Sequence, residues 1–218
     1  MNTTTASLPG SAAAAPRAAP LAVSILVFDG VEALDFAGPF EVFTTATRVR
    51  TRQNPELPPL FRVQSVAREN TPVRARAGLR LLPDTDFAAA PQADLLVVPG
   101  GVVDRAMTCP VTRAWVASQH PGTQITASVC TGAFVLAASG VLENGEATTH
   151  WEDQADLARQ FPALTVRGGV RWVDQGHVVT SAGISAGIDM SLHLVARVGG
   201  RALAERTARQ MEFEWTRA

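Results

Sequence analysis

Cys130 ends the β-type run QITASV (124–129) at a turn of small residues, Cys130-Thr131-Gly132, and an Ala-rich helical stretch follows at once. A thiol at a strand-to-helix turn faces the free N–H groups of the helix start and their partial positive charge. That setting predicts a lowered thiol pKa and a nucleophilic thiolate. The pattern is that of a nucleophile elbow with Cys in place of Ser. A small apolar residue filling a core gap would fit the same turn, and the turn alone leaves both readings open. Pro99-Gly100-Gly101 is a second chemistry-bearing feature, because glycine lets backbone approach a ligand with no Cβ in the way. Cys109 precedes Pro110 and reads as incidental. His120, His177 and His193 fall in turn, hairpin and helix contexts that do not suggest catalysis.

The elements that must position these residues follow from periodicity and turn signals. Strands are predicted over 22–28, 60–67, 79–82, 94–98 and 125–129, with a short strand or turn at 146–149. Residues 170–173 and 177–180 form a hairpin about Asp174-Gln175-Gly176. Residues 31–48 read as a loop and a helix interrupted at Gly38-Pro39, and 104–119 as a helix broken at Pro110. The stretch after Cys130 runs to Gly140, and further helices cover 151–160, 188–198 and 202–213. Alternating strands and helices predict an α/β three-layer sandwich, a mostly parallel sheet with helices on both faces. In such sheets the site lies at the carboxyl ends of the strands. The turn after the first strand, the Pro99-Gly100-Gly101 turn and the Cys130 turn should meet there. Residues 21–218 read as a single domain, and 1–20, rich in Ala, Pro, Ser and Thr, as a disordered tail.

Composition narrows the function classes. The chain has 218 residues and a net charge of -1, which gives no electrostatic case for nucleic acid or an anionic membrane. All 19 basic residues are arginine, so Schiff-base lysine chemistry and a P-loop lysine are excluded. Two cysteines are too few for a disulfide framework or a zinc cluster, so no metal is expected and a reduced, cytoplasmic protein is. The start lacks the basic and apolar regions of a signal peptide, and no apolar run nears the ~20 residues that span a bilayer.

Five segments together resemble the ThiJ/PfpI family of the class I glutamine amidotransferase-like superfamily: VFDGVEALDFAGPFEVF (27–43), LLVVPGG (95–101), SVCTGAF (128–134), ATTHW (147–151) and TSAGISAGID (180–189). The resemblance covers about residues 22–200 and implies a flavodoxin-like sheet. Within the family, LDFAGP (34–39) and SVCTG (128–132) look most like isonitrile hydratases, and also like the sensing domains of AraC-type regulators. The match places Asp35 where the family holds a carboxylic acid beside its cysteine. By itself Asp35 also reads as a helix N-cap. Glu32 and Glu41 are rival carboxylates, expected to be peripheral.

The resemblance further implies that the N–H groups of Gly101 and Thr131 form a donor pair like an oxyanion hole, beside Gly100. The Thr131 side chain would orient water or substrate, or simply cap its helix. Thr131 directly after the cysteine departs from members with a His there and argues against a Cys-His-Glu triad. His150 matches a recurrent family position, as a pocket-lining or catalytic histidine. The expected activity is cofactor-free hydration of an isonitrile to an N-substituted formamide, with Cys130 as nucleophile and Asp35 as acid and base. The alternatives are glyoxalase- or deglycase-type action on a 2-oxoaldehyde, and a non-enzymatic ligand or redox sensor. The expected partners are a small-molecule substrate and a second copy of the chain. The helix from Ile188 is expected to contribute to that homodimer.

Overall fold

The structure is a computed structural model describing residues 19–216. The segment read as a disordered tail, 1–20, lies outside the described residues except for Ala19 and Pro20. In chain order the first half comprises β1 (Leu21–Leu26), α1 (Ala33–Gln53), β2 (Phe61–Ala67), β3 (Val73–Arg74), β4 (Arg80–Leu81), β5 (Thr85–Asp86), β6 (Leu95–Val98), α2 (Asp104–Thr108) and α3 (Pro110–Gln119). The second half comprises β7 (Ile125–Ser128), α4 (Gly132–Ala138), β8 (Gly145–Ala147), α5 (Gln154–Gln160), β9 (Leu164–Val166), β10 (Trp172–Asp174), β11 (Val178–Ser181), α6 (Ala186–Gly199) and α7 (Arg201–Gln210).

Seven strands form one sheet in the order β10-β11-β7-β6-β1-β2-β5, parallel throughout except for the β10–β11 hairpin. The central strands are apolar on both faces because both faces are covered. Leu95 and Val97 of β6 enter the core beneath α1, α6 and α7, while Leu96 and Val98 enter the opposite core beneath α2, α3, α4 and α5. This two-residue alternation assigns each side chain to a layer. Each fully buried aliphatic side chain stabilises the sandwich by about 1.5–3 kcal/mol relative to exposure.

One expectation about the helices requires correction. Helix α1 runs without interruption through Gly38 and Pro39. The proline lacks one N–H, but tertiary packing of the helix (Val42 and Phe43 are fully buried) outweighs a single missing bond. On helix α6, expected to contribute to a homodimer, Ile188, Ala196 and Val198 stay partly exposed. Met190, Leu192, Leu194 and Val195 are fully buried within this chain, where α6 packs against α1 and α7. Among the described residues, no helix is long and apolar enough to cross a membrane.

Candidate active site

Cys130 lies between β7 and α4 with φ of 56°, a left-handed conformation that a non-glycine residue adopts only at a cost of roughly 1–3 kcal/mol. Its surroundings hold it there. The Val129 N–H donates to Val98 O at 3.0 Å, the Cys130 N–H to Ala182 O at 3.3 Å, and the Gly132 N–H to Val129 O at 2.9 Å. The buried Thr149 hydroxyl donates to the Cys130 carbonyl at 2.8 Å. Thr149→Val keeps the shape but removes that donor. It is expected to lower stability by about 1–3 kcal/mol, as thermal melting would show.

The three turns at the carboxyl ends of the strands are laced together. After β1, the Glu32 N–H donates to Gly100 O at 2.9 Å. The Val102 N–H returns to Gly30 O, also at 2.9 Å. Gly101 has φ of 127°, and a Cβ there would fall 2.2 Å from Gly30 O, so only glycine fits. The Gly101 N–H donates to Thr131 Oγ1 at 2.9 Å, and the same hydroxyl donates to Gly101 O at 3.0 Å. A Cβ on Gly100 would lie 2.6 Å from both Thr131 N and Thr131 Oγ1, and 2.9 Å from Asp35 Oδ2.

Asp35 projects from the first turn of α1 into this junction and is fully buried. Its Oδ2 accepts the Gly100 N–H at 3.0 Å, whereas Oδ1 has no hydrogen-bond partner among the described residues. It therefore does not act as the helix cap. Burial pushes its pKa up to about 7; the Gly100 N–H opposes the rise, the charge of Glu32 adds to it, and a hydrogen bond with Cys130 opposes it. The thiol is pushed up to about 12, by burial first and then by the Asp35 charge. The expectation of a low-pKa thiolate is thus corrected, because the helix start is too weak to offset a buried, like-charged neighbour. The site takes up its first negative charge only near neutral pH and resists a second one further still. Between those values the charge rests on Asp35 and the proton on sulfur.

The expected donor pair is also corrected. The Gly101 N–H is taken by Thr131 Oγ1, and the Gly100 N–H holds Asp35. The groups that favour charge on Cys130 are first the N–H groups of Thr131 and Ile184. Ile184, at φ of 36°, was not foreseen as a site residue. Its signal was present in the glycine-flanked stretch SAGISAG, where a left-handed turn can aim an N–H. Glu32 is not peripheral, since its half-buried carboxylate influences Asp35 and lies 3.9 Å from Arg76. Glu41 points outward, bound to Thr45 and Arg48.

These features coincide with a family match: the DJ-1/PfpI family matches residues 22–197. The chain belongs to that family. Among its relatives, isonitrile hydratase from Pseudomonas putida is 34% identical over 88% of this chain and 78% of the hydratase. The transcriptional regulator GbdR of Pseudomonas aeruginosa is 29% identical, matching 89% of this chain but 51% of the regulator. A ThiJ/PfpI family protein from Pseudomonas syringae superimposes with a TM-score of 0.78 at 27% identity, covering 91% of this chain and 77% of that one. Drosophila melanogaster DJ-1beta shares the fold at a TM-score of 0.76 and 19% identity, over 90% of this chain and all of DJ-1beta.

Within this DJ-1/PfpI fold, His150 packs its ring against Gly183, where a Cβ would fall 2.1 Å from the ring. Its Nδ1 lies 3.3 Å from Asp153 Oδ2 and 3.7 Å from Glu152 Oε2. His150 thereby braces the loop that carries Ile184. His120 and His177 stack on each other 4.2 Å apart by the amino end of β7, away from Cys130. His193 binds Asp174 at 2.6 Å. Among the described residues, no group of three or more His, Cys, Asp or Glu is arranged to hold a metal.

Proposed function

We propose that this chain hydrates isonitriles to N-substituted formamides. One observation carries the reading: a buried carboxyl with a pKa of about 7 and a free oxygen sits beside a buried thiol, anchored by Gly100 rather than by a histidine. Such a carboxyl can take and return a proton near neutral pH. The 34% identity to an isonitrile hydratase over most of both chains supports the same chemistry.

In the proposed cycle the Asp35 carboxylate takes the thiol proton as Cys130 Sγ bonds to the terminal carbon of R–N≡C. Asp35 then delivers that proton to the same carbon, giving the thioimidate R–N=CH–S on Cys130. Asp35 next removes a proton from water while hydroxide adds to the thioimidate carbon, and passes that same proton to the nitrogen. Collapse of R–NH–CH(OH)–S expels sulfur as the hydroxyl gives up its proton to Asp35, which returns it to sulfur, and R–NH–CHO is released. The N–H groups of Thr131 and Ile184 stabilise charge on the departing sulfur. Thr131 Oγ1 is already bonded to Gly101, so its role is to position the two turns.

Purified protein incubated with an aliphatic isonitrile should release the matching formamide, read by chromatography and mass. Absence of formamide, together with turnover of methylglyoxal, would move the assignment to 2-oxoaldehyde chemistry. Saturable binding of either compound without turnover would favour a sensing role, as in the relatives that are regulators.

A further inference from the structure

A second thiol occupies a different setting. Cys109 joins α2 to α3, is half-buried, and lines a cavity of about 240 Å³ whose wall includes Leu26, Phe28, Phe87 and Ala106. This cavity shares Asp29, Pro72, Val73 and Arg105 with a wider groove of about 810 Å³ beside the β3–β4 hairpin. The two form one trough, and Cys130, Asp35 and Thr131 line neither part.

The trough gathers Arg68, Arg74, Arg76, Arg80 and Arg105, in a chain whose net charge is -1. Arg68 pairs with Glu69, and Arg76 only approaches Glu32 at 3.9 Å. Among the described residues, the guanidinium groups of Arg74, Arg80 and Arg105 form no ion pair. Of the opposing carboxylates, Asp29 accepts the Arg74 backbone N–H at 2.8 Å and Asp104 heads α2. Unpaired guanidinium groups along a concave wall suit carboxylate groups, and the apolar end beside Cys109 suits a methylene-bearing body.

We propose that this trough docks a low-molecular-weight disulfide carrying carboxylates, and that Cys109 exchanges with it. The thiolate attacks one sulfur of R–S–S–R, a new S–S bond forms to Cys109, and R–S⁻ leaves and takes a proton from solvent. The thiol's surroundings favour this exchange. The Thr112 hydroxyl and N–H, the Val111 N–H and Arg68 together lower its pKa to about 7. A thiol with a pKa near ambient pH attacks disulfides well.

The test uses oxidised glutathione as the anionic probe and hydroxyethyl disulfide as the neutral one, followed by intact mass and peptide mapping. Oxidised glutathione should modify Cys109 ahead of Cys130, and Arg80→Gln with Arg105→Gln should slow it by about tenfold. The same pair of substitutions should leave the neutral probe's rate within about twofold, because electrostatic recognition acts only on the charged probe. If the double variant does not fold, a salt titration of the unaltered chain decides. The preference for the anionic probe should shrink as ionic strength rises. Modification confined to Cys130, equal slowing of both probes, or a salt-independent preference would overturn the proposal.

Discussion

Asp35→Asn is expected to make the protein more stable at pH 8 and nearly inactive. The folded-state pKa of Asp35 is raised from 3.8 to about 7. Below pH 3.8 the group is protonated in both folded and unfolded chains, and its favourable contribution is complete. As pH rises toward 7 the unfolded chain releases its proton first, so stability is lost across that window. Above it the folded protein carries a buried carboxylate at a cost of up to about 4 kcal/mol. Asparagine retains an acceptor for the Gly100 N–H and removes the charge. After imperfect placement of its amide, a gain of about 2 kcal/mol, or about 4–8 °C in melting temperature, should remain at pH 8. The fall in melting temperature of the unaltered protein between pH 4 and 7 should flatten in the variant. Turnover should drop by roughly a thousandfold or more, since Asp35 moves every proton in the proposed cycle. An active Asp35→Asn protein would remove the carboxyl from the mechanism.

Cys130→Ala is expected to reduce isonitrile turnover to background, a loss of roughly 10⁴-fold or more for a covalent nucleophile. Acid quenching of the unaltered protein during turnover should trap an adduct whose mass equals protein plus isonitrile, on the peptide bearing Cys130. The alanine variant should show no such adduct, and Cys109→Ala should show it in full. In the proposed cycle the thiol proton leaves through Asp35 rather than by free ionisation. Activity should therefore rise with pH through about 7, where the carboxylate forms, and show no separate rise near 9. Full activity in Cys130→Ala would end the covalent reading.

Much of this architecture could be read from the sequence because its signals are local. The apolar runs of β1, β6 and β7, the Pro99-Gly100-Gly101 turn and the Cys130 turn each declare their geometry within a few residues. Their meeting at one end of a parallel sheet follows from topology. Other features depended on contacts between distant segments. The Pro39 signal pointed to a break in α1, but packing against β2 and α6 carries the helix through it. The thiol pKa was misread because a turn reveals the helix start and not the depth of burial or the Asp35 charge. The Gly101 N–H looked free because only the folded chain brings Thr131 Oγ1 within 2.9 Å of it. Ile184 supplies a backbone group, and side-chain chemistry gives no sign of that.

The two outer strands of the sheet, β5 with two residues and β10 with three, have a consequence for how copies of this chain can meet. Each edge offers only a few main-chain groups, and at one of them the Asp86 side chain turns back to take the Ala88 and Ala89 N–H groups. A ladder of that length is too short to template strand addition from a neighbouring molecule. Any contact between copies at these two edges would then rest on side chains rather than on a shared main-chain ladder. The same brevity shields a sheet of highly apolar strands from zipping edge to edge into fibres.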